Sequence, residues 1–315
     1  MSISTQMIQA IRVHEYGGPE QLQLDEIPKP VPQADEVLVH VHAAGVNPVD
    51  WKIRTGSLKD FFPRSLPYIP GYDFAGVVEE VGPNVTAFQK GQAVFGQAPE
   101  FGTYTEYTIA PVTTVALKPE TLGFDEAATI SVGATTAWQG LFDHGKLEPG
   151  QRVLILGAAG GVGLFAVQFA RWKGAHVIGT ASTRNLDFVH SLGAHEVIDY
   201  TTIDVANAVH DVDLVLDTVG GEALANIWPT LKHGGTVVSI AGQPSPEKAR
   251  ELDARAVNFS AQTTSDLMST FAHLIDEGTV KVAIATSLPL REAPKAHELS
   301  QRGHGRGRIV LHVGD

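Results

Sequence analysis

The chain has 315 residues, too many for one ordinary core and about right for two domains. Its 43% apolar and 18% charged content is that of a globular protein, and its net charge of −12 excludes non-specific nucleic-acid binding, which needs a basic footprint. The absence of cysteine excludes disulfides, thiolate zinc sites, iron–sulfur clusters and a cysteine nucleophile together.

The segment Met1–Ala10 has neither the basic start nor the apolar centre of a signal peptide. No stretch approaches the roughly 20 apolar residues that cross a bilayer. A cytoplasmic protein with no membrane partner is expected. The next third predicts short strands at Ile11–Val13, Leu22–Leu24, Glu36–Val41, Gly76–Val81 and Tyr104–Ile109. Alternation is clear in Glu36-Val37-Leu38-Val39-His40-Val41, after an extended connection marked by Pro28, Pro30 and Pro32. Short strands with frequent Gly and Pro suggest a closed or nearly closed β unit.

From Leu122 onward, apolar runs alternate with helical patterns, the mark of βαβ units and a parallel sheet. Strands are predicted at Arg152–Leu156, Val177–Thr180, Glu196–Ile198, Leu214–Asp217, Thr236–Ile240 and Val257–Ala261. Helices are predicted over Val162–Lys173 and Asn185–Leu192, each stopped by a glycine, Gly174 or Gly193. Leu267, Phe271, Leu274 and Ile275 share one face of a further helix, and β character returns at Val282–Ala285 and Arg308–Val313. The fold class is therefore α/β, a doubly wound parallel sheet inserted into a β-rich unit. The expected division is 1–121, 122–264 and 265–315.

The strongest local signal is Val153-Leu154-Ile155-Leu156-Gly157-Ala158-Ala159-Gly160-Gly161-Val162-Gly163. A buried strand runs through glycines directly into a helix. Such glycines let the backbone approach a pyrophosphate closely, and the amides at the helix start supply positive potential to hold it. The first glycine of the common fingerprint is Ala158 here. At the end of the following strand, about 20 residues on, NAD enzymes place a carboxylate for the ribose 2′-hydroxyl. This chain instead reads Thr180-Ala181-Ser182-Thr183-Arg184. Ser182 and Arg184 could donate to a 2′-phosphate, which predicts NADPH.

Five motifs in order carry a family resemblance over essentially the whole chain. They are Gly45-Val46-Asn47-Pro48-Val49-Asp50-Trp51-Lys52, Ile69-Pro70-Gly71-Tyr72-Asp73-Phe74-Ala75-Gly76-Val77-Val78, the glycine-rich loop, Gly193-Ala194-His195-Glu196-Val197-Ile198-Asp199-Tyr200, and Gly303-His304-Gly305-Arg306-Gly307-Arg308-Ile309-Val310-Leu311. Together they resemble the zinc-independent medium-chain dehydrogenase/reductases, in the quinone oxidoreductase and zeta-crystallin branch. The resemblance implies a GroES-like catalytic domain around a Rossmann domain, cofactor in the cleft between them, and a homodimer. Zinc-dependent relatives place a cysteine where Asn47 stands and Gly-His-Glu where Gly71-Tyr72-Asp73 stands, so no metal is expected.

By the same resemblance, Asn47, Lys52 and Thr136 lie near the nicotinamide, and Ala159, Gly160, Gly161 and Val162 meet the pyrophosphate. Ser182, Arg184 and Tyr200 surround the 2′-phosphate. Ala241, Gly242 and Gln243 follow a Rossmann strand, and Phe259, Ser260 and Ala261 line the nicotinamide face. Arg308 stands where the branch often has lysine and is a further cofactor candidate. The implied reaction is hydride transfer from NADPH to a quinone or an enone, and donors to the substrate oxygen are sought among Asn47, Lys52, Tyr72 and Thr136. Asn47 is expected to point toward the nicotinamide. A dedicated enone or enal reductase and a non-catalytic NADPH-binding protein are the alternatives. His40 and His42 share a strand face without a third ligand, and Asp217 is expected to order the Thr218–Gly221 turn.

Overall fold

A computed structural model describes residues 6–303 and 305–314. Residues 1–5, part of the segment read for a targeting sequence, lie outside the described residues, as do His304 of the last motif and Asp315. In chain order the strands are β1 (Met7–Val13), β2 (Leu22–Pro28), β3 (Glu36–Val46), β4 (Asp73–Val81), β5 (Ala93–Gln97), β6 (Tyr107–Pro111) and β7 (Val115–Leu117). There follow β8 (Arg152–Leu156), β9 (His176–Ala181), β10 (Glu196–Asp199), β11 (Val212–Asp217), β12 (Leu231–Ser239) and β13 (Arg255–Asn258). β14 (Ile284–Pro289) and β15 (Arg308–His312) close the series.

The described residues divide into two units. One holds those up to Val132, Thr263–Asp276 and those from Ala283 on; the other holds Gly133–Gln262 and Glu277–Val282. The predicted division therefore shifts at both junctions, and the short segment Glu277–Val282 joins the second unit rather than the first. A hydrogen-bond pair accounts for that last difference: Gln168 in the helix Gly163–Trp172 receives the Lys281 amide and donates to the Lys281 carbonyl.

In the first unit β3 is central. It pairs antiparallel with β15, β4 and β6, in a sheet ordered β14-β15-β3-β4-β5-β7. Val37, Leu38 and Val39 are all buried, Leu38 at 1% exposure, so this stretch of β3 is covered on both faces. The core gathers Val37, Val39, Val41, Phe74, Val94, Tyr104 and Leu311. β5 and β7 are strands that the sequence reading did not propose.

In the second unit six parallel strands run β10-β9-β8-β11-β12-β13, the doubly wound order with its reversal between β8 and β11. Leu154, Leu156, Ile178, Val215 and Val237 fill its core, as expected for parallel strands buried on both faces. β13 ends at Asn258, so Phe259, Ser260 and Ala261 lie beyond the strand rather than within it. Among the described residues no helix is long and apolar enough to cross a membrane.

Candidate functional site

At the carboxyl end of β8, Gly157 takes φ +73°, a left-handed conformation that side chains rarely adopt, and turns the chain toward the helix Gly163–Trp172. A Cβ at Gly163 would lie 2.1 Å from the Gly157 carbonyl oxygen and 2.7 Å from the Ala158 Cα, so backbone occupies the space of any side chain there. The Ala158 amide is tied to the Thr180 carbonyl and the Gly160 amide to the Gly157 carbonyl. The amides of Ala159, Gly161 and Val162 donate to no backbone carbonyl. A glycine cradle with unengaged amides at a helix start fits the pyrophosphate of a dinucleotide.

Beside it, β9 ends at Ala181 and pairs with Asp199 at the end of β10. The Ser182 hydroxyl accepts from Asn185 Nδ2 at 3.2 Å, and Arg184 is exposed. Tyr200 is 41% exposed, and its backbone amide donates to the Ala181 carbonyl. The loop after β9 therefore brings Ser182 and Tyr200 to one edge. The sequence reading missed Asp199 in this place. Its carboxylate accepts the hydroxyls of Thr183 and Thr201 at 2.6 Å each, and these donors hold its carboxyl below the usual range. Asp199 is thereby committed to the Thr183 and Thr201 turns.

The ends of β11, β12 and β13 are bound to one another. Buried Asp217 accepts from the amides of Val219 and Gly220 and from the Ser239 hydroxyl, as the turn-ordering expectation required. Ser239 Oγ in turn receives the amides of Ala241 and Gly242, and Asn258 donates to the Ser239 and Gly242 carbonyls. Gln243 follows directly on this loop. Phe259 lies tilted against His144 with ring centroids 4.4 Å apart, while Ser260 is exposed and Ala261 partly so. Thr136 sits, 6% exposed, in the helix Ser131–Trp138.

The first unit has a buried polar centre of its own, and here two placements differ from expectation. Asn47 precedes the helix Pro48–Arg54 and is 0% exposed. Its Nδ2 donates to Asp73 at 3.1 Å and, more weakly, to the Gly45 carbonyl at 3.5 Å. Its Oδ1 accepts from Arg308 at 2.7 Å. The carboxamide is thus engaged with its own unit and offers no free donor to a substrate oxygen. Arg308, 4% exposed, donates to Asp73 at 2.7 Å as well as to Asn47, so its guanidinium is committed to a buried ion pair instead of a cofactor. The physical reason is Asp73. A fully buried carboxylate needs a cation and donors; Arg308, Asn47 and the Val132 amide supply them. Burial still pushes the Asp73 carboxyl above its ordinary range, against the opposing pull of Arg308.

A second polar group lies on the same helix. Asp50 Oδ2 accepts from the Asn47 amide at 2.7 Å and from the Tyr104 hydroxyl at 3.0 Å, and Tyr104 meets His297 Nε2 at 3.2 Å. Burial pushes the Asp50 carboxyl up to about 7, the hydrogen bonds from Asn47 and Tyr104 opposing it, and holds the His297 imidazole down to about 3. Tyr72 lies nearby with its hydroxyl accepting from Arg64 at 2.9 Å, and burial raises that phenol. Lys52 is partly exposed on the same helix, its carbonyl held by Thr55 and Ser57 hydroxyls. Of these added residues, Asp50 was legible, since an acid three positions after an Asn-Pro start signals a helix cap. Tyr104 and His297 gave no such signal.

Comparison with known proteins places these features. Residues 33–120 match the family model of the alcohol dehydrogenase GroES-like domain, and residues 192–311 match that described as zinc-binding dehydrogenase. The mouse (Mus musculus) quinone oxidoreductase is 38% identical, with 99% of each chain covered. The solved quinone oxidoreductase from Coxiella burnetii superposes with a TM-score of 0.91 at 36% identity, covering 98% of this chain and 100% of that one. The CurK enoyl reductase structure gives 0.87 at 28% identity, covering 98% and 100%. The residues present do not fit the metal that the second family description implies. Asn47 faces a guanidinium, the Tyr72 hydroxyl receives another, and among the described residues no three His, Asp or Glu side chains are grouped as ligands.

Proposed function

This chain belongs to the quinone oxidoreductase family of the medium-chain dehydrogenase/reductases, and on that premise we propose that it is a zinc-free, NADPH-dependent reductase of quinones or other activated unsaturated carbonyls. The observation that carries the reading is the backbone cradle at Gly157–Gly163, followed at the end of β9 by Ser182 and Arg184 in place of a ribose-binding acid. The nicotinamide, when bound, supplies the hydride.

The residues of the chain do the rest. Ala159, Gly160, Gly161 and Val162 receive the pyrophosphate, and Ser182, Arg184 and Tyr200 receive the 2′-phosphate. Ala241, Gly242, Gln243, Phe259, Ser260 and Ala261 support the nicotinamide half. Negative charge on the reduced substrate oxygen needs hydrogen-bond donors in a water-poor site. With Asn47 engaged elsewhere, Tyr72, Lys52 and Thr136 are the donors we assign. Tyr72 is the best placed, because Arg64 donates to its oxygen and leaves the phenolic O–H to donate a hydrogen bond. The resemblance to an enoyl reductase structure favours a second acceptor class, carbon–carbon double bonds conjugated to a carbonyl. We further propose a homodimer in the cytoplasm. The test is NADPH oxidation, with NADH as control, against quinones, enones and enals; sustained turnover with NADPH and one of these classes supports the reading, and a bound but unoxidised nucleotide would leave a non-catalytic binding protein.

A further inference from the structure

A small cavity of about 10 Å³, lined by Asp50, Arg64, Tyr68 and Tyr72, opens beside the helix Pro48–Arg54. That is room for about one water, and a buried water needs at least two polar partners. Two are at hand without any other. Asp50 is 2% exposed, and its Oδ1 has no hydrogen-bond partner; the Tyr68 hydroxyl is likewise buried and unpartnered. Asp50 thus has its two oxygens in different situations. Oδ2 is fixed by the Asn47 amide and the Tyr104 hydroxyl, and Oδ1 is left for the cavity.

Tyr104 and His297 define the direction of this arrangement. Both are 0% exposed. With His297 neutral, its Nε2–H donates to the Tyr104 oxygen and the Tyr104 hydroxyl donates to Asp50 Oδ2. Neither bond changes when Oδ1 gains or loses a proton, so Asp50 can cycle between acid and carboxylate without moving a heavy atom.

We propose that Asp50 holds the proton that completes the reduction and passes it from Oδ1, through one water in this cavity beside Tyr72, to the substrate oxygen. The proposal rests on the hydride-transfer reading above. The acceptor gains two electrons and one hydrogen nucleus as hydride, leaving an enolate or quinol oxyanion. The Asp50 O–H bond then breaks, the water relays the proton, an O–H bond forms on the substrate, and Asp50 is left as a carboxylate that regains its proton from solvent. Tyr104 and His297 are positioning residues. The charged and titratable groups around Asp50 are Arg54 on its own helix, Asp73 and Arg308 from β4 and β15, and Tyr104 and His297 on the Oδ2 side. Arg64, Tyr68 and Tyr72 face it from the cavity wall. The carboxyl's upward displacement to about 7 is what such a donor needs at neutral pH.

Two measurements on the whole protein test this. Infrared titration without cofactor should show the C=O stretch of a protonated carboxyl, absent in Asp50→Asn, disappearing with a midpoint near 7. Turnover should fall as pH rises through the same midpoint. In Asp50→Asn, kcat should drop about a hundredfold and lose that pH dependence, with the NADPH dissociation constant unchanged. Tyr104→Phe removes a donor to the carboxylate, so both midpoints should move to higher pH. An Asp50 already ionised at acidic pH, or an Asp50→Asn enzyme with wild-type kcat and pH profile, would overturn the proposal. Should Asp50→Asn not fold, an unmoved midpoint in Tyr104→Phe would overturn it equally. A wild-type protein that oxidises no NADPH would defeat the reductase reading instead, and the infrared result would still report on Asp50.

Discussion

Arg308 and Asn47, 261 positions apart in the chain, are joined by a 2.7 Å hydrogen bond in the buried centre of one unit, and both also bind Asp73. The last strand is thereby locked to the turn that starts the helix Pro48–Arg54. Asn47→Ala leaves Asp73 short of a donor and Arg308 short of an acceptor. Leaving buried polar groups unsatisfied costs about 1–3 kcal/mol, so denaturant unfolding of this variant should show a loss of that size. An unchanged midpoint accompanied by a large fall in kcat would return Asn47 to the role of substrate donor.

The pH dependence of stability follows from Asp50. Its folded carboxyl lies near 7, above the ordinary 3.8. The native state therefore holds this proton over a range where the unfolded chain has released it. The stabilisation is complete below the unfolded value and is lost as pH rises through the folded one. Asp50 therefore contributes a loss of stability from about pH 4 to 7, opposed by His297, whose imidazole is held down to about 3 and contributes a gain as pH rises toward 6.5. Asp50→Asn should remove the falling contribution, so that its stability rises relative to wild type across this window. Parallel curves for the two proteins in urea unfolding would contradict the assignment.

Much of this organisation was legible in the sequence. β8 and the turn after it were read to the residue, because a continuous apolar run into glycines has few physical solutions. The end of β13 was misplaced, since Val257-Asn258-Phe259 carries no breaker and only the pairing with β12 decides where the strand stops. The buried polar centre was legible only in part. Asn47 and Arg308 stood out by position, yet their mutual contact depends on β3 pairing with β15, a long-range register that no local pattern encodes. Tyr104 and His297 were silent for the same reason: their chemistry comes from being brought together at a sequence separation of 193.

Gly163→Ala tests the cradle. The added methyl would meet backbone at 2.1 Å, and backbone cannot swing aside as a side chain can. Binding of NADPH and NADH should weaken together, by about tenfold or more, since about 1.4 kcal/mol suffices for each tenfold. Isothermal calorimetry with both nucleotides reads this directly, and wild-type affinities would show that the cradle is not the nucleotide site.

Arg184→Ala should separate the two nucleotides. A hydrogen bond from a charged group contributes roughly 1.5–3 kcal/mol, so NADPH affinity should fall about ten- to a hundredfold with NADH nearly unaffected. Equal losses for the two would remove Arg184 from the 2′-phosphate.

Hydride transfer from NADPH to an activated unsaturated acceptor is the reaction proposed for this protein. It is tested most directly by supplying NADPH deuterated at the transferable nicotinamide position, with an enone as acceptor, and analysing the product by mass spectrometry. One deuterium is expected on the β-carbon of the saturated ketone, with NADP⁺ formed in equal amount. Consumption of NADPH with a protonated β-carbon in the product, or no consumption across the quinones, enones and enals, would contradict it.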